Sequence, residues 1–125
     1  MNRFYICEHC GNIIGVIKDA GVPMMCCGQK MTQIVPGTVE ASLEKHIPVV
    51  SVEGNTVNVE IGSVAHPMAE EHYITWVYLQ TDKGGQRKNL NPGEAPKISF
   101  ALCDEKPVAV FAYCNLHGLW KTDIK

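Results

Sequence analysis

Hydrophobic positions follow two different patterns, and the change between them falls near residue 36. Beyond it, short apolar runs alternate with polar positions, and Val57, Val59 and Ile61 fall on one face of a predicted strand, 56–61. Other predicted strands, separated by polar turns, cover residues 46–52, 72–79, 98–103 and 108–114. Only residues 40–45 favour a turn of helix. Several short strands at this spacing predict an all-β, antiparallel sandwich.

The first 36 residues are rich in cysteine and glycine and contain a single predicted strand, 13–17. A segment this short buries too little apolar surface to fold alone, so we expect a metal ion to stabilise it. Pro36-Gly37 marks the expected boundary. We therefore predict two domains, 1–36 and 37–125.

Composition narrows the classes of function. Hydrophobic residues make up 46% of the chain and charged residues 19%, which is typical of a globular protein. The net charge of −2 shows no basic excess, so we expect no nucleic-acid partner. No apolar run is long enough to span a bilayer, and the first residues lack the apolar segment of a signal peptide. We therefore expect a cytoplasmic protein without a membrane partner, whose six cysteines serve metal binding or redox chemistry more than disulfides.

Four of these cysteines form the first candidate site. Cys7 and Cys10 are separated by two residues, whereas Cys26 and Cys27 are adjacent. Four thiolates on one ion select zinc or iron. Two CxxC pairs would be the ordinary zinc spacing, and the rarer adjacent pair favours iron, but both metals remain open. His9, between the first two ligands, is expected to be a solvated bystander.

A second candidate site combines histidines with a thiol. Three histidines and one cysteine would close a tetrahedral zinc site, whereas five protein ligands leave one octahedral position open, as a catalytic site requires. Cys103 is expected to be packed or a free thiol. The candidate ligands are His46, His66, His72, Cys114 and His117.

The motifs around these residues resemble a known family over essentially the whole chain. The first cysteine set is similar to the desulforedoxin iron site, and the others are similar to motifs of superoxide reductases. The segments are Cys7-x-x-Cys10 with Cys26-Cys27, Glu44-Lys45-His46-Ile47-Pro48, Ala65-His66-Pro67-Met68, Glu71-His72-Tyr73-Ile74 and Cys114-Asn115-Leu116-His117-Gly118. Together they resemble the two-iron desulfoferrodoxin type of superoxide reductase.

The resemblance implies a fold and two iron centres. A small desulforedoxin- or rubredoxin-like iron knuckle would precede an immunoglobulin-like β-sandwich. One non-haem iron would bind the four cysteines of the first domain. A second would bind the four histidines in a plane with Cys114 opposite an open position, and His117 would use the other ring nitrogen than the remaining three histidines.

The resemblance also implies the reaction and its helpers. Superoxide would be reduced by one electron to hydrogen peroxide, with two protons consumed and no dioxygen made. Lys45 would guide the anion, and Glu44 would bind the ferric iron as a sixth ligand in the resting state. A rubredoxin-like electron donor and a homodimer are expected. The alternatives are a non-catalytic iron electron-transfer protein and a zinc-stabilised binding module.

Overall fold

A computed structural model describes residues 3–39 and 41–125 of the chain. The chain divides into two compact units, Met1–Val35 and Pro36–Lys125. Strands dominate both, and the only helix among the described residues, α1 (Leu43–His46), has four residues. No described helix is long and apolar enough to cross a membrane. The predicted helical turn at 40–45 is found at its C-terminal part, while Glu40 lies outside the described residues.

The first unit consists of five very short strands. These are β1 (Phe4–Ile6), β2 (Ile13–Gly15), β3 (Met25–Cys26), β4 (Gln29–Lys30) and β5 (Thr32–Ile34). They form an antiparallel sheet in the order β2-β1-β5 and a separate β3-β4 hairpin. Sequence periodicity predicted only the strand around residue 13, because strands of two or three residues are too short to show a repeat. The buried apolar residues described in the first unit are Phe4, Cys7 and Met31.

The second unit contains the remaining seven strands in two antiparallel sheets. The strands are β6 (Pro48–Glu53), β7 (Thr56–Ile61), β8 (Ile74–Thr81), β9 (Gly84–Asn89), β10 (Lys97–Ala101), β11 (Pro107–Cys114) and β12 (Gly118–Asp123). One sheet has the order β10-β7-β6 and the other β12-β11-β8-β9. The predicted all-β architecture with a cysteine knuckle and a separate β domain is confirmed.

A single apolar cluster fills the second unit. Val57, Val59 and Ile61 are at most 1% exposed, as their alternation along β7 predicted. They pack with buried residues of the other sheet, including Leu79 of β8 and Val110 of β11. The second unit therefore has a hydrophobic core of its own, whereas the core of the first unit is rudimentary.

Strand ends position the candidate ligands of the second unit. His46 ends α1 just before β6, and His72 lies two residues before β8. Cys114 is the last residue of β11, and His117 precedes β12. Cys114 pairs with Ile74 at the start of β8 and with Gly118 at the start of β12. The end of β11 and the beginnings of β8 and β12 therefore lie together at one end of the four-stranded sheet.

Candidate metal centres

Four thiols of the first unit converge on one point. The sulfur atoms of Cys7, Cys10, Cys26 and Cys27 all lie within 4.8 Å of one another. The Sγ atoms of Cys10 and Cys26 are 3.6 Å apart, and those of Cys26 and Cys27 are 3.9 Å apart. This is the convergence expected of a single-ion site.

Backbone conformation explains how these cysteines share a site. After Cys7, a tight turn is closed by the bond from the Gly11 N–H to the Cys7 carbonyl at 2.8 Å, with Gly11 at φ +84°. The adjacent pair is handled differently, because Cys27 adopts φ +53°, a left-handed conformation that few non-glycine residues use. This conformation redirects the Cys27 side chain, so that neighbouring residues present both sulfurs to one point.

Three thiols of the first cluster differ in how easily they ionise. The backbone N–H of Cys10 lowers the pKa of Cys7 to about 6. Hydrogen bonding with Cys10 raises the pKa of Cys26, and it raises the pKa of Cys27 to about 12. One thiolate therefore forms readily while its neighbours resist ionisation. A bound cation would allow all four to ionise, which is the state that iron or zinc requires.

The second cluster joins imidazoles from α1 and the loops of the second unit with the thiol at the end of β11. Donor atoms of His46, His72, Cys114 and His117 all lie within 4.8 Å of one another. His46 Nε2 lies 3.1 Å from His117 Nδ1, and Cys114 Sγ lies 3.9 Å from the same His117 nitrogen. His66 adjoins this set, with its Nε2 3.1 Å from His46 Nε2 and its ring centroid 4.7 Å from that of His72. All five residues singled out in the sequence are therefore brought together.

Backbone carbonyls fix the orientation of two of these rings. His46 Nδ1 lies 2.7 Å from the Ser42 carbonyl oxygen, and His66 Nδ1 lies 2.7 Å from the Pro67 carbonyl oxygen. Because a carbonyl only accepts, each Nδ1 carries the proton and each Nε2 lone pair faces the cluster. His117 instead presents Nδ1, as the resemblance implied.

Burial disfavours the charged forms of four members of the cluster and leaves one nitrogen atom without a hydrogen-bond partner among the described residues. His46 and His66 are each 2% exposed; burial lowers the pKa of His46 and lowers that of His66 to about 4. Burial also lowers the pKa of His72 and raises that of Cys114. His72 Nε2 is buried without a hydrogen-bond partner among the described residues. A buried polar atom without a partner is costly, and a metal ion at this point would supply one.

This donor set fits iron better than structural zinc. Four imidazoles and one thiol exceed the four ligands of a tetrahedral zinc site, whereas iron accepts both donor types at higher coordination numbers. The first cluster, with sulfur alone, fits either metal by its chemistry.

The turn after β7 anchors the backbone of the segment that carries Glu44 and Lys45. Both residues are exposed on α1. The Val64 N–H donates to the Glu44 carbonyl at 3.0 Å. Gly62 has φ +85°, and a Cβ there would lie 2.7 Å from the Lys45 carbonyl oxygen and 2.8 Å from that of Glu44. Sequence reasoning missed Gly62, and its only signal was a glycine directly after a predicted strand.

Lys45 exerts its charge on the histidine cluster. Beyond the larger effect of burial, its ammonium group lowers the pKa of both His46 and His72. A positive charge therefore acts at the cluster from the exposed side of α1. Such a charge favours the approach of a small anion.

Trp120 forms part of the wall of the second cluster. Its ring centroid lies 5.0 Å from that of His46, and its Nε1–H donates to the His117 carbonyl at 3.0 Å. The residue is 3% exposed, so it is a buried part of this wall. His9 and Cys103 are exposed and belong to neither cluster, as expected.

Comparison with known proteins identifies relatives over the whole chain. Residues 38–123 match the family described as desulfoferrodoxin, and residues 1–34 match the desulfoferrodoxin N-terminal domain. A desulfoferrodoxin homolog from Archaeoglobus fulgidus is 45% identical over 120 residues, which cover 96% of this chain and 95% of the relative.

Two solved structures extend the comparison to the fold. A superoxide reductase from Treponema pallidum is 42% identical, covers 98% of this chain and 99% of its own, and has a TM-score of 0.83. A superoxide reductase from Giardia intestinalis, described as 1Fe-SOR, is 35% identical with a TM-score of 0.56. It covers 66% of this chain and 98% of its own, so the likeness to that protein involves only part of the present chain.

Proposed function

The chain belongs to the desulfoferrodoxin family and is a superoxide reductase with two non-haem irons, and from this premise we propose which residues carry the reaction. Superoxide is its substrate, and the overall reaction combines one superoxide anion, one electron and two protons into hydrogen peroxide. The proposed domains are residues 1–36, which hold the first iron, and residues 37–125, which form the catalytic sandwich.

Nine side chains are the proposed iron ligands. The first iron would bind the thiolates of the N-terminal unit, and the second would bind four imidazoles and one thiolate of the sandwich. The observation that carries the assignment of the second set is the buried His72 Nε2, which lacks a hydrogen-bond partner among the described residues. The first set rests on the convergence of its four sulfur atoms. The two sets are Cys7, Cys10, Cys26 and Cys27, and His46, His66, His72, Cys114 and His117.

The protein prepares the second site before a metal enters. The carbonyls of Ser42 and Pro67 hold the protons of His46 and His66 away from the centre, so both Nε2 lone pairs are available. Burial disfavours protonation of these rings. When bound, ferrous iron supplies the electron for superoxide, and the Cys114 thiolate adds electron density to it.

Lys45 is the proposed guide for the substrate. Its charge acts on the rings of His46 and His72, so it reaches the place where the anion must arrive. At about 5 Å and an effective dielectric of about 20, one such charge attracts a unit anion by roughly 3 kcal/mol. Superoxide is a small monovalent anion, so this attraction would raise its local concentration.

Glu44 is the proposed sixth ligand in the resting ferric state. It is exposed beside Lys45 on α1, and its backbone carbonyl accepts bonds from the Val64 N–H and the Ser63 hydroxyl. The backbone is thus anchored, whereas the side chain is exposed. A carboxylate suits ferric iron, a harder cation than ferrous iron.

The proposal extends to cellular context. A rubredoxin-like protein is the expected electron donor, because the reaction needs one electron in each turnover. We further propose a homodimer and a cytoplasmic location, where low-potential electron carriers and reduced thiols occur together.

An anaerobic titration of the reduced protein with superoxide tests this function. We expect oxidation of the second iron, with hydrogen peroxide formed and no dioxygen released. Release of dioxygen would identify a dismutase instead. Oxidation without peroxide would favour an electron-transfer protein, and a colourless protein that contains zinc would identify a binding module.

A further inference from the structure

The segment that carries His72 is not held by the strand ladder alone. In the pairing of β8 with β11, Tyr113 lies opposite Trp76 but Cys114 lies opposite Ile74, so the register is irregular where the strands end. His72 lies beyond the last pair. Among the described residues, the His72 backbone is bonded only to Ala69, by reciprocal N–H to carbonyl bonds of 3.0 and 3.1 Å.

The ring of His72 also lacks the support that two other rings have. His46 and His66 each donate Nδ1–H to a nearby backbone carbonyl at 2.7 Å. No comparable bond to the His72 ring is present in the described parts of the chain, and its Nε2 is buried without a partner. Apart from its packing against the rings of His66 and His117, its direction therefore depends on the backbone at residues 71–73.

Asn115 holds this backbone on both sides of His72. The Tyr73 N–H donates to Asn115 Oδ1 at 2.9 Å, and Asn115 Nδ2 donates to the Glu71 carbonyl at 3.1 Å. The Asn115 backbone N–H adds a third bond, to the Tyr73 carbonyl at 3.3 Å. The side-chain amide thus acts as a substitute peptide group that continues the pairing after β11 has ended.

We propose that Asn115 is a positioning residue that sets the direction of His72 toward the second iron. It lies between Cys114 and His117 on the same turn, so it ties a third ligand to the element that carries two others. The inference rests on the proposed role of His72 as an iron ligand. An amide is needed because one side must accept a hydrogen bond and the other must donate one.

The test compares iron binding by four variants of the full chain, two at Asn115, a control at Asn58 and the ligand variant His72→Ala. In Asn115→Ala both side-chain bonds are lost, and we expect the second site to bind ferrous iron about 10- to 100-fold more weakly, measured by chelator competition. Asn115→Asp keeps the acceptor for Tyr73 and should fall between Asn115→Ala and the parent protein. Asn58→Ala is the matched control, because Asn58 also uses its side chain, as acceptor from the Ser99 hydroxyl, but lies on β7.

Two further measurements separate positioning from general loss of structure. The absorption of the first iron in the same molecule should not change, and amide exchange at Tyr73 in the metal-free protein should accelerate in Asn115→Ala but not in Asn58→Ala. Unchanged affinity in both Asn115 variants, while His72→Ala weakens binding, would overturn the proposal. Unchanged affinity in His72→Ala would instead refute the ligand assignment beneath it.

Discussion

His46 Nε2 and His117 Nδ1 lie 3.1 Å apart with their ring planes at 89°, although 71 positions separate the two residues in the chain. Because the Nδ1–H of His46 is engaged with the Ser42 carbonyl, its Nε2 offers a lone pair to this contact. Two ring nitrogens that face each other in this way suit a shared metal ion. Substitution of one member of this pair should therefore affect iron binding at the second site without affecting the first.

Replacement of His117 should empty only the second site. In His117→Ala the pair loses one nitrogen, and we expect iron to fall from about two per chain toward one, because loss of a donor weakens binding strongly. Metal analysis together with the absorption of the first iron measures this change. His9→Ala is the control, since His9 is exposed and belongs to neither cluster. Two irons retained in His117→Ala would contradict its role.

Cys114→Ser should remove the thiolate-to-iron absorption of the second iron. We also expect activity to fall at least about tenfold, because a hydroxyl donates far less electron density than a thiolate. Visible spectroscopy and superoxide turnover provide the two readouts. Cys103→Ser, which changes an exposed thiol outside the clusters, should leave both unchanged. Full activity without the absorption band would refute the place of Cys114 in the site.

Lys45→Ala should slow the encounter with superoxide while both irons remain bound. We expect the second-order rate constant, measured by pulse radiolysis, to fall about tenfold at low ionic strength. The difference should shrink as salt is added, because the screening length is about 8 Å at 0.15 M. Lys83→Ala is the matched control. Lys83 comes after the C-terminal end of β8, whereas His72 comes before its N-terminal end. An unchanged rate in Lys45→Ala would exclude guidance by this residue.

Glu44→Ala should change the ferric protein more than the reaction itself. If the carboxylate binds ferric iron, its loss alters the ferric absorption spectrum and leaves the first reductive step within about twofold of the parent rate. Glu53→Ala, at the far end of β6, should change neither. A ferric spectrum identical to that of the parent would argue against ligation by Glu44.

Gly62→Ala should destabilise the sandwich through the segment that carries Glu44 and Lys45. The new methyl group would collide with their carbonyl oxygens in a backbone already at φ +85°. We expect the free energy of unfolding to fall by about 2–4 kcal/mol in urea denaturation. Gly54→Ala is the control, because Gly54 has φ +59° but nothing within 4 Å of an added Cβ, so it should lose only about 1 kcal/mol. Equal losses would show that the contact with the α1 segment is unimportant.

Alternation and clustering of apolar residues predicted five strands of the sandwich but did not predict β9 or β12. β7 and β8 carry alternating or continuous buried positions, and both were predicted. β9 is polar, and five of its six residues are exposed, so its sequence shows no alternation of apolar positions. β12 was missed, since it begins directly after the Cys114–His117 motif and has no separating turn signal of its own.

Motif resemblance supplied the candidate ligands, but not what orients them. The histidine and cysteine positions were evident in the sequence, and the structure brings them together. The left-handed backbone of Cys27, which lets adjacent thiols share one site, has no sequence signature because cysteine rarely adopts it. The bonds of Asn115 to Glu71 and Tyr73 span more than 40 positions, so only the folded chain reveals them.

The rudimentary core of the first unit has a consequence for a cell that runs short of iron. Phe4, Cys7 and Met31 are the only buried apolar residues among those described in this unit, which therefore depends on its ion for most of its stability. The sandwich has an extensive hydrophobic core and can stay folded in the metal-free state. Iron scarcity would thus expose the N-terminal unit to proteases first. The sandwich would survive this cleavage and could still bind iron when the metal became available again.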